Sequence, residues 1–244
     1  SSEIVNLTNV QQYIFTVEAK NEVGWGGKSD EKSGTPSSEP GTPRNLSVDE
    51  SDKKITLSWL PPLDDGGASI SEYQISISPA IPVIGNLKVV QSGNQFVFDQ
   101  LTNGTNYTFS VTAKNINGLG QTSDSVSGTP TGLPTTPTSL NLSSGNQTIS
   151  ASWSPPSDNG GTSITSYQIV VKEGSSILST STINGLSKNF TSSDFNIENG
   201  KTYKVEVRAE NSKGLSNLVS ANISTVGFPG PPSSINANEG NQSA

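Results

Sequence analysis

Tyr13–Asn21 (YIFTVEAKN), Tyr107–Asn115 (YTFSVTAKN) and Tyr203–Asn211 (YKVEVRAEN) are three versions of one nine-residue stretch. In each, Tyr, Phe or Val, Val and Ala fall on alternate positions with Thr, Ser, Lys, Glu or Arg between them. Period-two alternation is the signature of a β-strand with one face buried and the other in water. The copies stand 94 and 96 residues apart, so the repeating unit is a small domain and not a short solenoid turn.

Outward from Tyr107 the pattern continues. Leu46 and Val48 suit a first strand, and Ile55, Leu57 and Trp59 alternate with Thr56 and Ser58 in a second. The turn Pro61-Pro62-Leu63-Asp64-Asp65-Gly66-Gly67 follows, Pro fixing φ and Gly supplying positive φ. Ile70, Tyr73, Ile75 and Ile77 begin a third strand, Leu87–Val90 and Phe96–Phe98 suit two short ones, and Leu101 leads into Tyr107. Thr122–Ser127 closes a set of seven strands with no helix pattern. The next repeat copies this order with Leu140, Leu142, Ile149, Ala151, Trp153, Pro155-Pro156, Ile164, Tyr167, Ile169, Val171, Ile177 and Tyr203. Phe195 stands two residues before Ile197, where Phe98 stands three before Leu101; a bulge or shifted register is expected near Asp194.

Residues 1–36 hold only the end of such a repeat, residues 40–130 and 134–226 hold complete ones, and residues 229–244 begin another. The chain therefore reads as an excerpt from a longer tandem array, and residues 1–36 lack most of the core that would make them stable alone. Pro-rich segments at 34–43, 128–137 and 227–232 join the repeats and favour semi-rigid polyproline II. An extended rod about 100 Å long is expected, from strands of about 3.3 Å per residue.

Trp59, Tyr73, Leu101 six residues before Tyr107, and the ending Ala113, Asn115, Gly118 resemble the fibronectin type III domain. The combination recurs at Trp153, Tyr167, Ile197, Tyr203, Ala209, Asn211 and Gly214, and its second half at Leu7, Tyr13, Ala19, Asn21 and Gly24. The resemblance implies an all-β, immunoglobulin-like sandwich, A-B-E against C-C′-F-G, with those Trp, Tyr, Leu and Ile residues as core. It also implies a tyrosine corner in which the hydroxyl bonds backbone just upstream. Ile197 replaces the usual Leu and affects only the packing of that corner.

Composition bounds the chemistry. With no His and no Cys, the commonest general base, the commonest metal ligand, the Cys nucleophile and the disulfide are all missing, and no enzyme activity or cofactor is expected. A net charge of −7 disfavours nucleic acid and anionic membranes, and no apolar run reaches the ~18–20 residues a membrane helix needs. Asp64, Asp65 and Asp158 read as ordinary turn chemistry more than as a calcium site. Gly27-Lys28-Ser29 imitates part of a phosphate loop, but Glu22 stands where its first Gly belongs. Trp25 reads as packing or an interdomain contact ahead of a ligand platform. No Arg-Gly-Asp is present.

Asn-x-Ser/Thr occurs at Asn6, Asn45, Asn103, Asn106, Asn141, Asn146, Asn189, Asn222 and Asn241, against about six expected by chance. Exposed Asn103, Asn146 and Asn189 are the expected sugar carriers on a eukaryotic secretory route. The favoured function is a structural or adhesive spacer array in an extracellular or cell-surface fibre. Its partners would be proteins, through self-association or neighbouring surface proteins, and glycans. Accessory modules of a secreted carbohydrate-active enzyme, and a virion or tail decoration, are the alternatives.

Overall fold

Every regular element among the described residues is a β-strand. The computed structural model describes residues 3–82, 84–228 and 234; the expected start of a further domain at 229–244 lies, apart from Ser234, outside the described residues. The chain divides into two compact units, Ser1–Gly132 and Leu133–Ala244.

The first unit begins with β1 (Tyr13–Phe15), paired antiparallel with β2 (Lys32–Gly34). Only the first third of the expected Tyr13–Asn21 strand is regular. Main-chain bonds from Ser29 to Val17 (2.9 Å), Gly26 to Ala19 (2.7 Å) and Asn21 to Gly24 (3.0 Å) continue the pairing intermittently. The physical reason is the missing second sheet: Val17, in a position buried in the other two copies, is 73% exposed, and nothing holds the ribbon flat.

The rest of this unit is a complete sandwich. β3 (Arg44–Ser51), β4 (Lys54–Leu60) and β7 (Gln95–Phe98) form one antiparallel sheet in the order β3-β4-β7. The facing sheet contains β5 (Glu72–Ile81), β6 (Gly85–Val90), β8 (Tyr107–Asn115), β9 (Gly118–Thr122) and β10 (Val126–Gly128), with β8 at its centre. The inward residues of β8, Tyr107, Phe109, Val111 and Ala113, are all buried and alternate with half-buried hydroxyl residues. They meet Ile55, Leu57, Trp59, Tyr73, Ile75, Phe98 and Leu101 in one core, where the Trp59 and Tyr73 rings stand edge to face at 5.3 Å.

The second unit repeats this plan. β11 (Thr138–Gly145), β12 (Thr148–Ser154) and β15 (Ser187–Phe190) face β13 (Ser166–Glu173), β14 (Ser176–Ile183), β16 (Thr202–Asn211), β17 (Gly214–Leu215) and β18 (Val219–Ser224). Its core gathers Trp153, Tyr167, Ile169, Phe190, Ile197, Tyr203, Val205 and Val207, with the Trp153 and Tyr167 rings 5.6 Å apart. The buried Trp153 Nε1 has no hydrogen-bond partner among the described residues, so this indole is there for its volume.

The tyrosine hydroxyls do one job three times. Tyr107 Oη accepts the Thr102 N–H (3.1 Å), Tyr203 Oη the Glu198 N–H (2.9 Å) and Tyr13 Oη the Thr8 N–H (2.9 Å), each five residues upstream. The crossover that carries the chain from one sheet to the other is thereby tied to the start of the central strand.

Two sequence expectations need correction. The closing strand is not one element but two, broken at a serine. Ser123 donates its N–H to Val111 O (2.9 Å) while its Oγ accepts the Val111 N–H (2.9 Å) and donates to Asp124 O (2.8 Å). The hydroxyl thus replaces a main-chain acceptor and kinks the strand. Ser29 does the same to Val17, whereas Ser216 does it to Ala209, so β17 is shorter than β9 and β18 longer than β10. Nor is there a bulged strand near Asp194. Phe190 pairs with Ile149 as Phe98 pairs with Ile55, so Phe190 is the counterpart of Phe98. Residues 191–194 are an inserted turn, closed by the Asp194 carboxylate on the Thr191 N–H (2.9 Å), and Phe195 folds back against Phe190 and Tyr203.

Trp59→Ala should destabilise the first sandwich by about 3–5 kcal/mol, read as a lower denaturant midpoint for that unit. Tyr203→Phe, which keeps the ring and leaves the Glu198 amide without its acceptor, should cost about 1–2 kcal/mol by the same measurement.

Candidate interaction surfaces

At one end of each sandwich a buried asparagine ties the end of the central strand to the Pro-Pro turn, and in the first sandwich it reaches the entering chain as well. Asn115 follows the last inward Ala of β8; its Nδ2 donates to Ser38 O (2.7 Å) and Asp65 O (2.8 Å), and its Oδ1 accepts the Asn117 N–H (2.9 Å). Asn211 donates to Asn159 O (2.8 Å) and accepts from the Lys213 and Gly214 amides (2.8 and 3.2 Å). The chain entering each module is bonded there too, Gly41 N–H to Asp64 O (2.8 Å) and Thr135 N–H to Asp158 O (2.9 Å). Gly66, at φ +75°, has the Ser38 carbonyl where a side chain would begin, so only glycine lets the entering strand approach. The sequence marks Asn115 and Asn211 only as part of the repeated pattern, because their partners are main-chain carbonyls.

In the Pro-Pro turns the acidic side chains are turned onto the backbone. Asp64 and Asp65 accept the Gly66 and Gly67 amides, and Asp158 and Asn159 the Gly160 and Gly161 amides, all at 2.8–2.9 Å. Each side chain is engaged with the backbone two residues on, a turn-stabilising contact. Among the described residues no group of three or more Asp or Glu could hold a metal, and no helix is long and apolar enough to cross a membrane. Lys28 Nζ lies 3.9 Å from Glu18, and Ser29 is bonded to Val17, so Gly27-Lys28-Ser29 lies in the irregular stretch ahead of β2 that runs back beside Val17. Trp25 is 65% exposed, with Lys20 Nζ 5.3 Å from its ring centre.

The outer faces of the large sheets differ between modules. In the first, cross-strand hydroxyl pairs dominate: Thr108 with Ser127 (2.8 Å) and Thr112 with Thr122 (2.7 Å), with one ion pair, Lys114 to Glu72 (3.2 Å). In the second, Glu206 is only 8% exposed although it points outward from β16. Lys172 (2.8 Å) and Lys204 (2.9 Å) both reach its carboxylate, and the aliphatic stems of such lysines cover it. The hydrogen bond from Lys172 is the main reason its carboxyl is held below the ordinary carboxylate value, with Lys204 adding to it. Lys172 and Glu206 line a shallow depression of about 190 Å³ together with Arg208, Gln168, Val170 and Ile177.

The three expected sugar carriers lie apart. Asn189 is exposed on the edge strand β15. Asn146 is exposed in the β11–β12 turn, its Oδ1 taking a bond from Asn199 (2.8 Å). Asn103 is half-buried, donating to Asp52 (2.7 Å) and accepting the Lys53 N–H (2.8 Å). Asn199 makes the matching bond to the Gln147 N–H (3.0 Å), so Asn103 belongs to a repeated loop brace.

Residues 41–129 and 135–226 each match the model of the family described as fibronectin type III domain. The chain is 28% identical over 178 residues to a Kelch domain-containing protein of Saccharolobus solfataricus, covering 72% of this chain and 23% of that protein. It is 30% identical over 186 residues to fibronectin type-III domain-containing protein 3a of Gallus gallus (70% and 15%). It is 29% identical over 181 residues to the cell adhesion molecule Dscam1 of Drosophila melanogaster (70% and 9%). The chain thus spans less than a quarter of the length of these relatives. A solved two-domain fibronectin type III segment of chicken tenascin is similar over 75% of this chain and 99% of its own, at 19% identity and a TM-score of 0.39. With both complete sandwiches matched along most of its length, the chain belongs to the fibronectin type III family.

Proposed function

We propose that these are non-enzymatic adhesive or structural spacer modules acting outside the cell or at its surface, through protein contacts on their outer sheet faces. The observation that carries this reading is the contrast between the two faces of one strand. Tyr, Phe or Val, Val and Ala recur inward on β8 and β16, while outward Thr108, Ser110 and Thr112 become Lys204, Glu206 and Arg208. A constant interior with a changing exterior suits modules that share a frame and differ in what they touch. The relative named as a cell adhesion molecule supports the same reading. Pro-rich joints suit a spacing role, and exposed Asn146 and Asn189 are proposed as sugar attachment points should the chain pass through a glycosylating route.

Beads coated with the chain should adhere to the cells that make it, and R208T or T108K/T112K should weaken adhesion at unchanged melting temperature. Adhesion indifferent to every outer-face change would overturn the reading. The Glu206 triad has its own pH signature. A carboxyl depressed in the folded state stabilises above its ordinary value of 4.5 and loses that contribution as pH falls through the lower folded value. Asp194 is likewise held below its ordinary value, chiefly by the Thr191 amide and then by Lys188. Thermal melts taken down through the carboxylate range should therefore show a shallower acid decline for Glu206→Gln than for the parent chain.

A further inference from the structure

An edge strand leaves a row of main-chain donors and acceptors unpaired, and folded proteins normally block it with charge, brevity, a bend or a covering segment. In this chain those devices can be checked edge by edge. On β6 the inward-pointing Lys88 lies 4.8 Å from the Phe96 ring centre, a charge that a pairing strand would have to bury. β7 and β15 are four residues each, and β15 carries Lys188. β3 bends at Asn45 and carries Asp49 and Glu50, and β11 bends at Ser139 and lies beside β18, where Ser144 Oγ reaches Ser224 O (3.0 Å).

Over its last five residues, Ser179–Ile183, β14 has none of these. It is eight residues long, SILSTSTI, with no proline, and no charged residue stands between Glu173 and Lys188. Among the described residues its main chain is paired only with β13. Past the single irregularity opposite Val171 and Lys172, Ser179–Ile183 runs in regular register against Tyr167–Val171. Thr180 and Thr182 share the outer face with Val170 and Gln168, and Ile177 on the same strand is 62% exposed.

We propose that the outer edge of β14 is a pairing site for β14 of a second copy of this chain, joining two large sheets antiparallel across a two-fold axis. A two-fold contact sets each residue against itself or its mirror position, so charge on the edge would meet like charge. The uncharged β14 escapes that penalty, and the module that carries it, residues 134–226, is balanced at six basic and six acidic residues, so the net charge of −7 on the chain lies outside the pairing module. Centred on Ser181, the regular run is self-complementary: Ser179 faces Ile183, and Thr180 faces Thr182 on the outer side, a favourable cross-strand pair. The proposal deepens the contact reading above without being required by it, because spacer modules can act as monomers.

Sedimentation of the whole chain over rising concentration up to about 1 mM, the weak end of specific association, should show a monomer–dimer equilibrium. T180K/T182K should weaken the dimer at least about tenfold, since it places like charges opposite each other, with an unchanged melting temperature to show that the module still folds. T180E/T182E alone should behave likewise, and mixing the Lys and Glu variants should restore a mixed dimer. A parent chain that stays monomeric throughout would overturn the proposal, as would Lys and Glu variants that dimerise like the parent. Mixed variants that fail to associate would overturn the Ser181-centred pairing. None of these results touches the adhesion of coated beads, which tests the spacer reading separately.

Discussion

One hydrogen bond organises each module: a buried tyrosine hydroxyl accepting an amide proton five residues upstream. Sheets hold themselves together through their ladders, but nothing in a ladder fixes one sheet against another. The Tyr107 and Tyr203 contacts close the crossover between sheets at the point where the chain enters the central strand, with Leu101 and Ile197 buried beside them. The tyrosine side of this bond is buried, so losing the hydroxyl leaves an amide at the half-buried margin of the core without its acceptor. That Tyr13 makes the same contact in a ribbon with no second sheet shows how local the corner is: it needs six or seven residues and no core.

The rest follows from where the inward rows of β8 and β16 point. They bury Trp59 and Trp153 against Tyr73 and Tyr167, leaving the outward rows free to vary. Variation there is not uniform in kind. The first module keeps neutral hydroxyl ladders, whereas the second sinks a carboxylate among lysines so far that it is nearly out of solvent. Desolvation of this partly buried carboxylate is offset by its two lysine hydrogen bonds while it is ionised, and that offset is lost on protonation, so the triad is at once a shaped surface and a pH-dependent contribution to stability.

Most of the frame is legible in the residues because period-two alternation and near-equal Trp-to-Tyr and Tyr-to-Tyr spacing are properties of sequence alone. What escaped reading depends on contacts whose partners are main-chain atoms. Ser29, Ser123 and Ser216 look like any other serine in a Ser-rich chain, yet each breaks a strand by substituting its hydroxyl for a carbonyl or amide partner. Asn115 bonds two carbonyls whose identity no alphabet records. Phe195 was matched to the wrong aromatic because counting back from Ile197 cannot see that residues 191–194 form a turn. The depth of Glu206 was hidden for a different reason: a charged residue on an outward strand position is read as solvated, and only the two lysine stems above it say otherwise.

The asparagine latch changes where a module begins. The family match starts at residue 41, and the first strand of that sandwich at Arg44, but the carbonyl that Asn115 needs belongs to Ser38. A piece excised at the strand, or at the matched boundary, would strand a buried amide whose acceptor lay on the discarded side. In covalent terms Ser38 is part of the connector; in the accounting of satisfied polar groups it is part of the module it precedes. Neighbouring repeats of this kind are thus cut correctly within the connector, a few residues ahead of the first β-strand, and the proline-rich joint is shorter than its composition makes it look.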